Sequence, residues 1–112
     1  MQIVNEYISI LTLQKMAEQG FGDMVKAVVD VEKKIMAVDA DLHADEEAVL
    51  LEHGSVQNDL WGINIYPFEK GENFIEYDSM INIRPRQNNR SRIVEDPETR
   101  QLISQIILNL VK

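Results

Sequence analysis

Val25-Lys-Ala-Val-Val-Asp-Val-Glu-Lys-Lys-Ile-Met-Ala-Val38 is the stretch whose reading decides the fold. Val25, Ala27, Val29 and Val31 fall on one side of an extended chain. Lys26, Asp30 and Glu32 fall on the other, with Val28 among them. A period of two and a high β-branched content specify a strand. Lys33-Lys34 breaks the alternation, and Ile35–Val38 reads as the returning strand of a hairpin.

Downstream, Leu60–Tyr66 alternates again and is ended by Pro67. Phe74–Ile83 reads as a further strand, with Ile75, Tyr77, Ser79, Ile81 and Ile83 on one face and Pro85 as its stop. Upstream, residues 2–8 read as a first strand. Ser9 or Thr12 then caps a short helix through Leu13, Met16 and Ala17, which stops near Gly20. Asp96 followed by Pro97 is a helix start. Leu102, Ile103, Ile106, Ile107, Leu110 and Val111 then recur at helical spacing. Burying those six side chains contributes on the order of 10 kcal/mol at most, so this helix must dock on an apolar face.

The connections between strands read as too short for parallel crossovers. The expected fold is therefore α+β: an antiparallel sheet of four to five strands, with the C-terminal amphipathic helix packed on one face. Residues 39–53 fit two elements. Asp45-Glu-Glu-Ala-Val-Leu-Leu51 contains strong helix formers, and Gly54 suits a helix end. The same letters suit a buried strand entering a turn at His53-Gly-Ser55. The turn-rich segment that follows favours strand.

The 112 residues fit a single domain, 1–112. Cysteine is absent, which excludes disulfides, thiolate nucleophiles and cysteine metal ligands. The start lacks a basic, apolar leader, and no apolar run is long enough to span a bilayer. These features predict a cytoplasmic protein without a membrane partner. The formal net charge of -8 disfavours bulk attraction to nucleic acid. The limited room for burial in so small a sheet predicts a homodimer.

Against this acidic background, four arginines occur in Arg84-Pro-Arg-Gln-Asn-Asn-Arg-Ser-Arg92. Pro85 and Asn88-Asn89 make the run a loop. Arg84, Arg86, Asn88, Asn89, Arg90 and Arg92 are candidate ligand-binding residues, because guanidinium forks with side-chain amides suit an anionic ligand, whether carboxylate or phosphate, or a protein partner. No aromatic residue in the run offers a stacking platform for nucleic acid. The plainer alternative is that these arginines pair with carboxylates of the same chain and bind nothing.

Residues 39–53 carry no Lys or Arg. In a strand, His43, Asp45 and Glu47 share a face; in a helix, His43 and Glu47 align and Asp45 turns away. Imidazole with carboxylates suits a divalent metal, which gives a second functional reading: a small metal-dependent hydrolase using His43, Asp45 and Glu47, with Asp59 or Asp78 completing the site. The calcium-loop pattern fails, with Ala44 where glycine is needed. Neither HExxH nor a serine elbow is present. Ser55 after His53-Gly54 suits a turn. Asn64, between Ile63 and Ile65, is an unusual strand residue, placed to bond a neighbouring loop such as the one at Asn88-Asn89.

Several strings together resemble a small bacterial domain family of unknown function: Lys26-Ala-Val-Val-Asp-Val-Glu-Lys33, Leu42-His-Ala-Asp45, Ala48-Val-Leu-Leu-Glu52 with Gly54-Ser55, Leu60-Trp-Gly62, and Ile81-Asn-Ile-Arg-Pro-Arg-Gln-Asn-Asn89. The resemblance runs from about residue 24 to the final helix. It implies neither an activity nor a role for any residue.

Overall fold

The computed structural model describes all residues, Met1–Lys112. Its elements in chain order are β1 (Gln2–Val4), α1 (Ile10–Gln19), β2 (Val25–Asp30), β3 (Ile35–Val38), α2 (His43–Glu52), β4 (Leu60–Ile65), β5 (Ile75–Glu76) and α3 (Pro97–Leu110). The five strands form one sheet in the order β1-β3-β2-β4-β5, and every neighbouring pair is antiparallel. The α+β architecture with a C-terminal helix on one face is as the pattern of residues anticipates.

The hairpin forms where the valine alternation places it. Asp30 closes its turn: Oδ1 accepts from the backbone N–H of Glu32 and Lys33, each at 2.9 Å, and Lys34 takes a left-handed φ of 59°. Alternation then sorts the side chains. Val25, Ala27, Val29, Met36, Val38, Trp61, Ile63 and Ile65 join the large core with Leu13 and Ala17 of α1 and Ile103, Ile106, Ile107 and Leu110 of α3. Val28, Ala37 and Leu60 face the other way and pack with Leu50 of α2. The sheet is thus covered on both faces.

Three sequence expectations are corrected. Residues 43–52 form a helix, not a strand. Phe74–Ile83 is a strand only at Ile75–Glu76, and Met80–Asn82 turns into a single 3-10 turn. With α2 a helix, the expectation that no crossovers exist also fails. β1 and β2 run parallel with β3 between them, and β3 and β4 run parallel with β2 between them. α1 and α2 bridge these pairs. Both bridges step the same way across the sheet but leave oppositely directed strands, so bridges of one hand place their helices on opposite faces.

Ser9 caps α1, its Oγ accepting from Thr12 N–H at 3.0 Å, and Asp96 caps α3 by accepting from Glu98 N–H. The first and last segments are stitched together: Ile8 N–H donates to Leu110 O at 2.7 Å, and Lys112 N–H to Ile8 O at 3.0 Å. No helix is long and apolar enough to cross a membrane.

Candidate functional site

The loop from residue 80 to 93 is built by asparagines that do the work of backbone. Asn82 is fully buried. Its Oδ1 accepts from Gly62 N–H at 2.8 Å, and its Nδ2 donates to Gly62 O at 2.9 Å and to Arg92 O at 3.0 Å. The side-chain amide therefore takes the place of a neighbouring strand beside β4, which is why the ladder needs no regular strand there. Gly62 makes room: a Cβ on it would lie 2.5 Å from the Cβ of Ser79. Asn89, also buried, donates to the carbonyls of Asn82, Ser91 and Ile93 and accepts from Glu95 N–H. Asn88 supplies a left-handed turn at φ 65°. Asn88 and Asn89, candidates for ligand binding by sequence, are placed as loop architecture, with Asn89's amide fully engaged.

The four arginines divide into two pairs. Arg84 donates through Nη1 to Gln57 O and through Nη2 to Leu60 O, and stacks over Trp61 with its guanidinium carbon 4.2 Å from the ring centroid. Its half-burial lowers its pKa from the usual value. Arg92 forms the only salt bridge in the molecule, with Asp78 at 2.8 Å. These two are internal fasteners. Arg86 and Arg90 are exposed, and neither side chain has a hydrogen-bond or ion-pair partner. The backbone N–H groups of Arg90 and Ser91 both donate to Glu95 Oε2, at 2.9 and 2.8 Å. Hydrogen bonds from Ser91, then the Arg90 N–H and charge, hold the Glu95 carboxyl below its ordinary pKa. A cleft of about 470 Å³ beside the loop is lined by Trp61, Gln87, Asn88, Asn89, Glu95, Asp96 and Thr99, with no arginine among them. The free guanidinium groups therefore face open surface.

The acidic stretch gives a different result from the one its letters suggest. As a helix, α2 turns His43 inward, where its Nε2 lies 2.7 Å from Ile63 O, so Nε2 carries a proton and donates. Burial lowers the His43 pKa. Asp45 is exposed, and Glu47 is half-buried within electrostatic range of Arg84. His43, Asp45 and Glu47 are not brought together, because a helix spreads alternate residues around its axis. No three His, Asp or Glu side chains in the chain are arranged to hold a metal ion. Asp78 is engaged by Arg92.

Sequence reasoning passed over Glu46, the most unusual titratable group. It is completely buried. Its Oε2 accepts from Ala40 N–H at 3.0 Å, while Oε1 has no partner. Burial pushes its pKa up to about 9, so it is neutral at pH 7. The available signal was its place among α2 positions: Glu46 sits three residues after His43 and four before Leu50, on the stripe a helix would bury. Asn64, also on the α2 side of the sheet, donates to Glu76 Oε1 at 2.8 Å and to Asp78 O at 3.2 Å, and does not reach the Asn88-Asn89 turn. Tyr66 OH donates to the same Glu76 oxygen at 3.1 Å. Ser55 donates to Asp30 Oδ2 at 2.6 Å, tying the end of α2 to the hairpin, which suits the turn role.

No curated protein and no solved structure matches the chain. One family does, across residues 2–110, and it spans the hairpin, α2, the asparagine-built loop and α3 alike. The chain belongs to that family, described as protein of unknown function (DUF5674).

Proposed function

We propose that this protein is a binding module whose loop at residues 80–93 docks an acidic segment of a protein partner. The observation that carries the reading is the pair Arg86 and Arg90: two exposed, unpartnered guanidinium groups on a loop whose backbone is pinned by Asn82 and Asn89. Pinning the loop lowers the entropy lost when a partner docks. The same loop exposes apolar side chains, with Met80 65%, Ile83 39% and Ile93 44% accessible. Met80 opens the 3-10 turn Met80–Asn82 and Ile83 caps it, donating its N–H to Met80 O at 3.2 Å, so the two residues flank one turn. Arginine, methionine and aliphatic side chains together suit a protein interface more than a site for a small anion. The absence of arginine from the adjoining cleft points the same way.

The test is titration with a peptide of alternating Glu and Leu at low and at raised salt. Binding should weaken as salt rises. The Arg86→Ala/Arg90→Ala variant should lose at least tenfold in affinity while Tm moves by no more than about 2 °C, as expected for surface changes that break no internal contact. Unchanged affinity in that variant, or a large fall in Tm, refutes the reading.

A further inference from the structure

A second surface carries an independent inference. A groove of about 840 Å³ runs between the α1–α3 side and the segment following β4. Ile10 and Gln14 of α1 and Ser104 and Leu108 of α3 are i, i+4 pairs along its walls, and Phe74, Ile75 and Tyr77 line it from the β5 side. Phe68 and Leu108 at its rim are 49% and 64% exposed. Next to it lies a pocket of about 450 Å³ that shares Phe68, Glu69, Glu72 and Ile75 with the groove and adds Asp23 and Glu76. None of these four carboxylates is in a salt bridge. Lys70 is the only cation lining either cavity.

We propose that this composite surface docks a basic amphipathic segment of a partner protein, its apolar side chains in the groove and a Lys or Arg in the acidic pocket. An apolar trough of this size is suited to an amphipathic helix, whose anchors recur at i, i+3, i+4. Charge complementarity selects a cationic occupant, since carboxylates with no cationic partner beside a desolvating groove repel an acidic one. This surface is separate from the arginine loop, so each inference can fail alone.

The probe is a 14-residue helical peptide of Leu and Lys arranged with one apolar face, titrated while amide signals of Gln14, Ile75 and Leu108 are followed by NMR. The expected result is saturable shifts at those signals. A scrambled peptide of the same composition should bind at least tenfold more weakly. Glu69→Lys/Glu72→Lys and, separately, Leu108→Asn should each reduce affinity at least tenfold, while Arg86→Ala/Arg90→Ala should leave it unchanged. Leu108 is exposed, so its replacement spares the fold. Equal binding of the scrambled peptide, shifts confined to other signals, or no binding overturns the proposal. So does a dimer, seen by sedimentation, that Leu108→Asn dissociates, because the groove would then belong to a second copy.

Discussion

Glu46 and His43 lie one helical turn apart on the buried side of α2 and respond to pH in opposite directions. Glu46 titrates near 9 in the folded chain and near 4.5 when unfolded. Between those values the folded state holds a proton that the unfolded state has lost, so stability falls as pH rises. The slope is at most about 1.4 kcal/mol per pH unit. Glu46→Gln keeps an acceptor for the Ala40 N–H and removes the ionisation. Denaturant titrations should find this variant close to wild type at pH 5 and more stable by at least about 1 kcal/mol at pH 8. His43 has a folded pKa below its ordinary 6.5. Its contribution is present above pH 6.5 and is lost as pH falls toward the folded value. Arg84→Lys leaves a charge but no fork for two carbonyls and no plane to stack on Trp61. A loss of about 1–3 kcal/mol in chemical denaturation is expected, whereas Arg86→Lys should cost nothing measurable.

Among the elements, β4 depends on a side chain for its pairing, and Gly62 and Asn82 should fail together. Gly62→Ala drives a methyl into Ser79, and Asn82→Leu leaves the Gly62 N–H and C=O buried without partners. Each should cost about 2–4 kcal/mol, and the double variant less than their sum, since a methyl that displaces Ser79 also strains the adjoining Asn82 bonds to Gly62. Thermal melts of the four proteins decide this. The hairpin was legible because Val25, Ala27 and Val29 alternate cleanly, and α3 because Ile103, Ile106, Ile107 and Leu110 keep helical spacing. α2 was not, because its buried stripe is His43, Glu46 and Leu50, two of them polar, while exposed Leu51 and half-buried Val49 mimic a strand. The end of β5 was illegible for another reason: nothing in Ile81-Asn-Ile83 announces that a side-chain amide will replace a ladder rung. The arginine run was visible as a loop. Its division into fasteners and free groups was not, because it turns on the carbonyls of Gln57 and Leu60, more than twenty residues away.

For the molecule as a whole, a net charge of -8 with one salt bridge means that electrostatics contribute little to holding it together. The sheet, covered on both faces, does most of that work. The neutral carboxyl beneath α2 nevertheless couples the entire folding reaction to the solvent. At pH 7 the native chain carries a hydrogen ion on Glu46 that the denatured chain gives up. Melting must therefore discharge a hydrogen ion from Glu46 into the medium, less the fraction of one that His43 takes up once exposed, and the buffer must absorb the balance. Calorimetric heats of unfolding should differ between phosphate and Tris by most of the difference in their ionisation enthalpies, and in Glu46→Gln that discrepancy should shrink and reverse sign, leaving only the smaller uptake by His43.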